Sequence, residues 1–219
     1  MTAAASNRKL AAWLVLAGTL AAFAYADRAS AGKPPRDALY QYGFAVSGLI
    51  VELLVLGIVL WIARGIPWSE LGVRAPRSWP TALGLALALF VGLVIVEQVL
   101  EHFLHASREQ GLEPSHWEPS KIVPFALNAA VIVLVAPVAE EMTYRGLGLA
   151  LLLRFGPVVA VLVSAIAFAG AHGLVQGFPA LFLFGVVIAI VRLRSGSVFP
   201  GMLFHASFNG IALALAFVR

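Results

Sequence analysis

Long apolar runs follow one another along the whole chain, and the short segments between them carry most of the charged residues. Because an α-helix rises about 1.5 Å per residue, about 20 apolar residues are needed to cross the hydrocarbon core of a bilayer. By this measure the sequence predicts seven spans, near residues 10–26, 39–62, 80–104, 124–152, 157–175, 178–193 and 197–217. We therefore expect an all-α, polytopic transmembrane helix bundle, with residues 1–219 forming a single integral membrane domain.

The composition agrees with a lipid solvent. Hydrophobic residues make up 61% of the 219 positions and charged residues 12%, whereas about a quarter of the residues in a soluble domain are charged. The net charge of +4 comes mainly from arginines between the apolar runs, and no basic block is long enough to indicate nucleic-acid binding. The predicted partner is thus the lipid bilayer, with no nucleic acid. The absence of cysteine from the sequence excludes disulfides, thiolate metal sites and a cysteine nucleophile.

Lysine and arginine are unevenly divided between the two sides of the predicted bundle. If the spans alternate in direction, nine of these residues lie on the side of the N-terminus, Arg145 among them, and six on the opposite side. The positive-inside rule then places the N-terminus in the cytoplasm. The first apolar segment follows Arg8 and Lys9 and ends in small residues near Ala26, so it is either a short span or a cleaved signal peptide. We favour the uncleaved span.

Ionisable side chains within the predicted spans are functional candidates, because a charge inside a bilayer costs several kcal/mol unless it is paired or solvated. Glu141 and Arg145 are four residues apart on one helix face and are predicted to form an ion pair. The adjacent Glu140 points about 100° away, which leaves its carboxylate available for chemistry. His205 and Asn209 are also four residues apart, so they can act on one small group or tie two helices together.

His172 lies in the fifth predicted span, at a depth similar to that of Glu140 and His205. Counted from turns near Phe155 and Ser195, with about 1.5 Å per residue, the three side chains lie roughly 15 to 25 Å into the membrane. Polar groups from three helices at one level within a bilayer indicate a site rather than isolated substitutions.

Two backbone features support an enclosed cavity at this level. Ala165, Ala169 and Gly173 repeat at four-residue intervals in the fifth predicted span, and small residues let neighbouring helices pack closely. Pro137 lacks a backbone N–H, so it is predicted to kink the fourth span and leave polar backbone beside the cavity.

Three motifs occur in order on successive apolar segments: EExxxR at residues 140–145, FxxxH at 168–172 and HxxxN at 205–209. Together they resemble the CPBP family, which contains the type II CAAX prenyl endopeptidases and the bacteriocin-processing Abi-type intramembrane proteases. The resemblance covers about residues 122–217, with a fainter echo at 70–74. It implies a bundle of about eight helices around an intramembrane catalytic cavity, so our count becomes seven to eight, with two pieces merged around Pro137. It also implies a multi-pass protein of the bacterial cytoplasmic membrane.

The resemblance further implies hydrolysis of a peptide bond inside the membrane. The substrate would be a membrane-associated protein or lipidated peptide, for example a prenylated, CAAX-like one. Glu140 would act as the general base on a water molecule, with His172 assisting it.

The same resemblance assigns roles to the remaining motif residues. His205 and Asn209 would donate hydrogen bonds to the oxyanion of the tetrahedral intermediate. Glu141 belongs to the catalytic set, and Arg145 would support the site by holding Glu141.

Glu140, His172 and His205 would also supply one carboxylate and two imidazoles to zinc or another divalent metal, which is the ligand number of a catalytic zinc site. The HExxH pattern of many zinc proteases is absent from the sequence. We favour a mechanism without a metal cofactor, and the metal alternative stays open.

Two non-enzymatic functions also stay open: a catalytically inactive membrane scaffold or immunity-type binding protein, and a proton-coupled small transporter. Glu52 and Glu97 lie in apolar spans outside the motifs, where three roles stay open: a protonated, hydrogen-bonded carboxyl group, part of the cavity lining, or part of a proton pathway. His102 and His105 have metal-ligand spacing, but their place at a span boundary favours solvated side chains.

Overall fold

Helices account for most of the backbone in the computed structural model, which describes residues 3–32, 35, 37–104, 109 and 117–215. No β-strand occurs in those ranges, so the predicted all-α class is confirmed. The helical segments are α1 (Ala3–Ala31), α2 (Tyr42–Ile62), α3 (Trp79–Leu104), α4 (Pro119–Phe155), α5 (Pro157–Gly170), α6 (Phe178–Ser195) and α7 (Phe199–Leu215).

Five of these helices are long and apolar enough to cross a membrane: α1, α2, α4, α6 and the Trp79–Val96 part of α3. The chain is an integral membrane protein. α5 and α7 are apolar but shorter, with 14 and 17 residues. The predicted fifth span, 157–175, is too long, because the chain turns after Gly170 and Gly173 adopts a left-handed conformation with φ +64°.

α4 is one helix of 37 residues. Two π-helical stretches, Val131–Val135 and Met142–Gly148, flank an α-helical piece that contains Pro137. The wider turn before the proline lets the helix pass a residue that has no backbone N–H to donate. The helical pieces on either side of Pro137 are therefore joined in one continuous run.

Each half of α1 contributes a hydrogen bond to the rest of the bundle. The Trp13 side chain is fully buried, and its indole N–H donates to the Thr143 carbonyl at 2.9 Å. It lies so close to Gly148 that a Cβ there would be 2.4 Å from the Trp13 ring. In the second half of α1, the Tyr25 hydroxyl donates to the Leu174 carbonyl at 3.1 Å. These contacts hold α1 against α4 and the turn after α5.

Small residues bring α5 and α6 together, as the spacing predicts for Ala165. A Cβ added at Gly185 of α6 would lie 3.0 Å from the Ala165 Cα and Cβ atoms. Gly173 lies in the turn after α5 rather than on the helix, and it allows a close approach to α1. A Cβ added at Gly173 would lie 2.6 Å from the Ala24 carbonyl oxygen. The α5 helix and its following turn are thus held against two neighbours.

The segment between α2 and α3, residues 63–78, is hereafter called the connector. It docks on the turn between α6 and α7 through backbone bonds: the Val198 N–H donates to the Gly72 carbonyl at 2.9 Å, and the Arg77 N–H donates to the Ser195 carbonyl at 3.0 Å. Gly72 has φ +79°, and its missing side chain leaves room for the Arg192 guanidinium group. The connector therefore forms a fixed surface at the end of the bundle where α1 begins.

Candidate active site

A buried ion pair anchors the catalytic motif of α4. Glu141 and Arg145 are both 0% exposed, and Arg145 Nη1 donates to Glu141 Oε1 at 3.0 Å, which confirms the predicted pair. Arg145 Nη2 donates to the Gly185 carbonyl of α6 at 3.1 Å, and its guanidinium carbon lies 4.4 Å from the centre of the Phe168 ring. The guanidinium group thus fixes α4 against both α5 and α6.

His205 of α7 lies between the two glutamates. Its Nδ1 atom is 3.1 Å from Glu141 Oε1, and its Nε2 atom is 3.7 Å from Glu140 Oε2. Because a carboxylate accepts hydrogen bonds, Nδ1 carries the proton in the first contact, and Nε2 faces the second carboxylate. The sequence predicted Glu141 as the partner of Arg145 but missed this second role, in which Glu141 orients the imidazole.

Glu140 has a different environment from its neighbour. Its side chain is 21% exposed, whereas that of Glu141 is 0% exposed. Glu140 Oε2 is buried and accepts no hydrogen bond from the residues that the structure describes. A partly accessible carboxylate with an unused acceptor atom is available for a water molecule or a substrate group, as the helical geometry of the EExxxR motif predicts.

His172 lies in the turn after α5, and not on the helix as predicted. Its Nδ1 atom is 2.9 Å from the Phe168 carbonyl oxygen. The His172 ring centre is 4.7 Å from that of Phe168, which in turn lies 5.8 Å from that of His205. The two imidazoles therefore contact the same phenylalanine ring. Sequence reasoning did not single out Phe168, although it opens the FxxxH motif.

Asn209 ties α7 to α4. Its Nδ2 atom donates to the Ile132 carbonyl at 2.9 Å. Within α4 this carbonyl lacks a donor, since the Ala136 N–H bonds to Val131 and the next residue, Pro137, has no N–H. Asn209 thus fills the interhelical role named among the sequence alternatives. Its amide nitrogen has a second hydrogen, which remains for the predicted oxyanion contact.

The proposed metal ligands are not assembled as a ligand set. Across the part of the chain that the structure describes, no three His, Asp or Glu side chains are grouped closely enough to hold a metal ion. Glu140 and His205 approach each other, whereas the hydrogen bond of His172 goes to the Phe168 carbonyl of α5. The residues present therefore do not fit a three-ligand zinc site, and we derive no step through a metal.

Glu52 joins the site from α2, although none of the three motifs contains it. Ala45, Gly48, Val55 and Val59 share its helix face, and a Cβ at Gly48 would lie 3.5 Å from a Val131 side-chain atom of α4. Glu52 is close enough to Glu140 for a direct electrostatic interaction. In the sequence, the signal for this position was that Glu52 shares one helix face with the small residues Ala45 and Gly48.

The other candidate residues contribute less. The His102 side chain is exposed and contacts Phe103, with ring centres 5.1 Å apart. The side chain of Glu97 and the whole of His105 lie outside the described residues.

Comparison with known families agrees with the motifs. Residues 122–211 match the family described as Type II CAAX prenyl endopeptidase Rce1-like. This range contains all three motifs and every residue of the site except Glu52, and the match supports the resemblance of the motifs to the CPBP family. A search of the curated proteins and a search of the solved structures each found no match.

Proposed function

We propose that the protein is an intramembrane endopeptidase that hydrolyses a peptide bond of a membrane-associated protein or lipidated peptide. The observation that carries this proposal is the position of His205 between Glu140 and Glu141, at 3.7 Å and 3.1 Å. One carboxylate orients the imidazole while the other is partly accessible. This division of roles suits a mechanism in which Glu140 activates a water molecule and His205 donates a hydrogen bond to the substrate carbonyl.

In the proposed reaction Glu140 is the general base. Its carboxylate takes a proton from a water molecule while the water oxygen attacks the scissile carbonyl carbon. When the tetrahedral intermediate collapses, the C–N bond breaks and the proton on Glu140 passes to the leaving amine. Water supplies the hydroxyl group of the new carboxylic acid and the proton of the new amine, so the reaction needs no other reactant.

His205 stabilises the oxyanion in this scheme. In its imidazolium form Nδ1–H donates to Glu141 and Nε2–H is free to donate to the oxyanion. Glu140, Glu141, Arg145 and His205 then carry two negative and two positive charges, which lowers the cost of placing them in a membrane. The remaining Asn209 hydrogen can reinforce the same contact.

The substrate class follows from the family match. The family description names prenyl endopeptidases, and a site at membrane depth requires a substrate that is itself held in the membrane. We propose a lipidated or transmembrane peptide, of which a prenylated CAAX-like peptide is the first to test.

The decisive experiment compares the wild type with Glu140→Gln in proteoliposomes that contain a fluorogenic prenylated peptide. We expect the substitution to lower kcat by at least about a hundredfold, the lower range for loss of a general base. Glu118→Gln is the control, because Glu118 pairs with Lys121 at the surface. Membranes of cells with either form are then searched for new termini.

Each alternative function has its own outcome. Binding of the peptide without cleavage by the wild type would support the scaffold or immunity-type protein. Proton-driven flux that depends on Glu52, with no Glu140-dependent termini, would support the transporter. Cleavage that survives Glu140→Gln would overturn the proposed mechanism.

We also propose that the N-terminus faces the cytoplasm, because the end of the bundle where α1 begins is the more basic one. The sequence contains no cysteine, so a single introduced cysteine is the only thiol of the protein that a maleimide can label. A membrane-impermeant maleimide added to intact cells should label Asp37→Cys and leave Ser69→Cys, in the connector, unlabelled. The reverse pattern would invert the topology.

A further inference from the structure

An apolar cavity of about 600 Å³ lies between α2, α4, α7 and the connector. Every residue that lines it is apolar, with Leu56 and Leu60 from α2 and Met202 from α7. Val138 and Met142 form its α4 wall and lie on either side of the two glutamates in sequence. The cavity is thus at the membrane depth of the candidate active site but offers no polar group to a reaction.

Two exposed tryptophans mark the mouth of the cavity. Two of its lining residues, Trp68 and Trp79, belong to the connector and the first turn of α3, and they are 57% and 40% exposed. Tryptophan concentrates at the membrane–water interface. The cavity therefore runs from the headgroup region into the hydrocarbon region, as a lipid chain does.

Two arginines, Arg74 and Arg77, are close in sequence to residues that line this mouth. Arg74 follows the lining residue Val73, and its Nε donates to the Gly196 carbonyl at 2.9 Å. Arg77 lies two residues before the lining residue Trp79, and its Nη1 donates to the Arg194 carbonyl at 3.1 Å. Neither guanidinium group forms an ion pair with a carboxylate among the residues that the structure describes.

The charge around the mouth is not neutralised by the rest of this end of the bundle. Apart from Arg145 of the candidate active site, this end carries eight lysine or arginine residues, and Glu70 is its one acidic residue in the sequence. At the opposite end, the described residues include the acidic Asp27, Asp37, Glu109 and Glu118 and the basic Arg28 and Lys121. The eight are Arg8, Lys9, Arg64, Arg74, Arg77, Arg154, Arg192 and Arg194.

We propose that the cavity and the two arginines together form a binding site for an anionic phospholipid. One acyl chain fills the apolar cavity, and the phosphate group accepts hydrogen bonds from Arg74 and Arg77. A zwitterionic lipid fits the cavity but leaves the excess positive charge of the connector unmatched.

The bound lipid would support the catalytic helix from its outer side. Val138 and Met142 contact the chain, and Glu140 lies between them on the same helix. Occupancy therefore stabilises the π-helical region of α4, whether or not the protein is a peptidase.

The test measures the thermal stability of the full-length protein in neutral detergent, titrated with dioleoylphosphatidylglycerol or with dioleoylphosphatidylcholine. We expect the anionic lipid to raise Tm at a lower mole fraction. Arg77→Gln should raise the half-saturating fraction of phosphatidylglycerol about fivefold, since each basic residue at such a surface contributes about one kcal/mol. Arg77→Lys should retain most of the response.

Two further variants separate the parts of the site. Leu60→Trp fills the cavity from α2 and should weaken the response to both lipids. Arg154→Gln is the control at the same end of the bundle, because Arg154 bonds to Ser6 and Asn7 away from the connector. It should titrate as the wild type does.

Native mass spectrometry of the same variants counts retained phosphatidylglycerol and does not depend on a change in Tm. Equal responses to both lipids, or wild-type retention by Arg77→Gln, would overturn the proposal. So would glycerol phosphate reproducing the stabilisation, because a headgroup alone would then suffice.

Discussion

His205 Nδ1 and Glu141 Oε1 lie 3.1 Å apart, and the same carboxylate oxygen accepts a hydrogen bond from Arg145 at 3.0 Å. One oxygen atom therefore links the helix that carries EExxxR to the helix that carries HxxxN. Since both partners are buried, loss of this carboxylate affects the position of the imidazole as well as the balance of charge.

We predict that Glu141→Gln and Glu140→Gln will have different effects. Glu141→Gln leaves the buried Arg145 charge without its counter-ion and should destabilise the protein by about 3–5 kcal/mol, with loss of activity. Glu140→Gln removes a partly exposed carboxylate whose contact with His205 Nε2 is long, at 3.7 Å, and should change stability by less than about 1 kcal/mol while activity is lost.

Denaturant or thermal unfolding in detergent, measured beside the peptidase assay, separates the two effects. Equal loss of stability in both variants would show that the two carboxylates share one structural role. Glu118→Gln again serves as the control for removal of a surface carboxylate.

A second prediction concerns the contact between α1 and the catalytic helix. Gly148→Ala would place a Cβ 2.4 Å from the fully buried Trp13 ring, so we expect a loss of about 1–3 kcal/mol from overpacking. In a Trp13→Leu background the smaller side chain makes room, and the alanine should cost much less.

Gly84→Ala is the matched control for this pair, because a Cβ there meets nothing within 4 Å. It should be neutral or slightly stabilising, as expected for a glycine in a helix interior. An equal cost for Gly148→Ala with and without Trp13 would contradict the close contact, as would a neutral effect in the wild type.

Hydropathy and helical spacing predicted most of the fold and the Glu141–Arg145 pair, because span length and the i, i+4 relation are local properties. They failed where tertiary contacts decide. The end of α5 before His172 depends on Gly173, whose turn packs on α1. The approach of Glu52 to Glu140 and the link from Asn209 to Ile132 join helices far apart in sequence.

The bond from Asn209 to Ile132 leads to a third prediction. Asn209→Ala should cost about 1 kcal/mol, because the Ile132 carbonyl loses its donor within a membrane-spanning helix. Pro137→Ala returns a backbone N–H to this turn of α4, so the cost of Asn209→Ala should be smaller in that background.

A double-mutant cycle of stability measures this coupling. The peptidase assay on the same four proteins tests whether Asn209 also contacts the reacting group. Activity should stay low in the double variant even where stability is recovered. Purely additive stability changes would show that Pro137 and Asn209 do not share the Ile132 carbonyl.

The fourth prediction concerns acid stability at the end of the bundle opposite the connector. Glu109 accepts backbone N–H bonds from Val175 and Gly177, both at 2.8 Å. Partial burial acts to raise the pKa of Glu109, but these bonds, with one from Gln176 and the charge of Arg28, outweigh it, so its pKa lies below the usual 4.5.

A carboxyl group with a lowered pKa in the folded state stabilises the protein above its unfolded pKa, and this stabilisation is lost as the pH falls through the folded value. We therefore expect Tm to fall between about pH 5 and pH 3 more steeply in the wild type than in Glu109→Gln, which lacks the titrating group. The two proteins should converge in Tm at the acid end of this range, because a protonated glutamic acid and glutamine are both neutral. Parallel curves over the whole range would show that Glu109 does not hold the turn that follows His172.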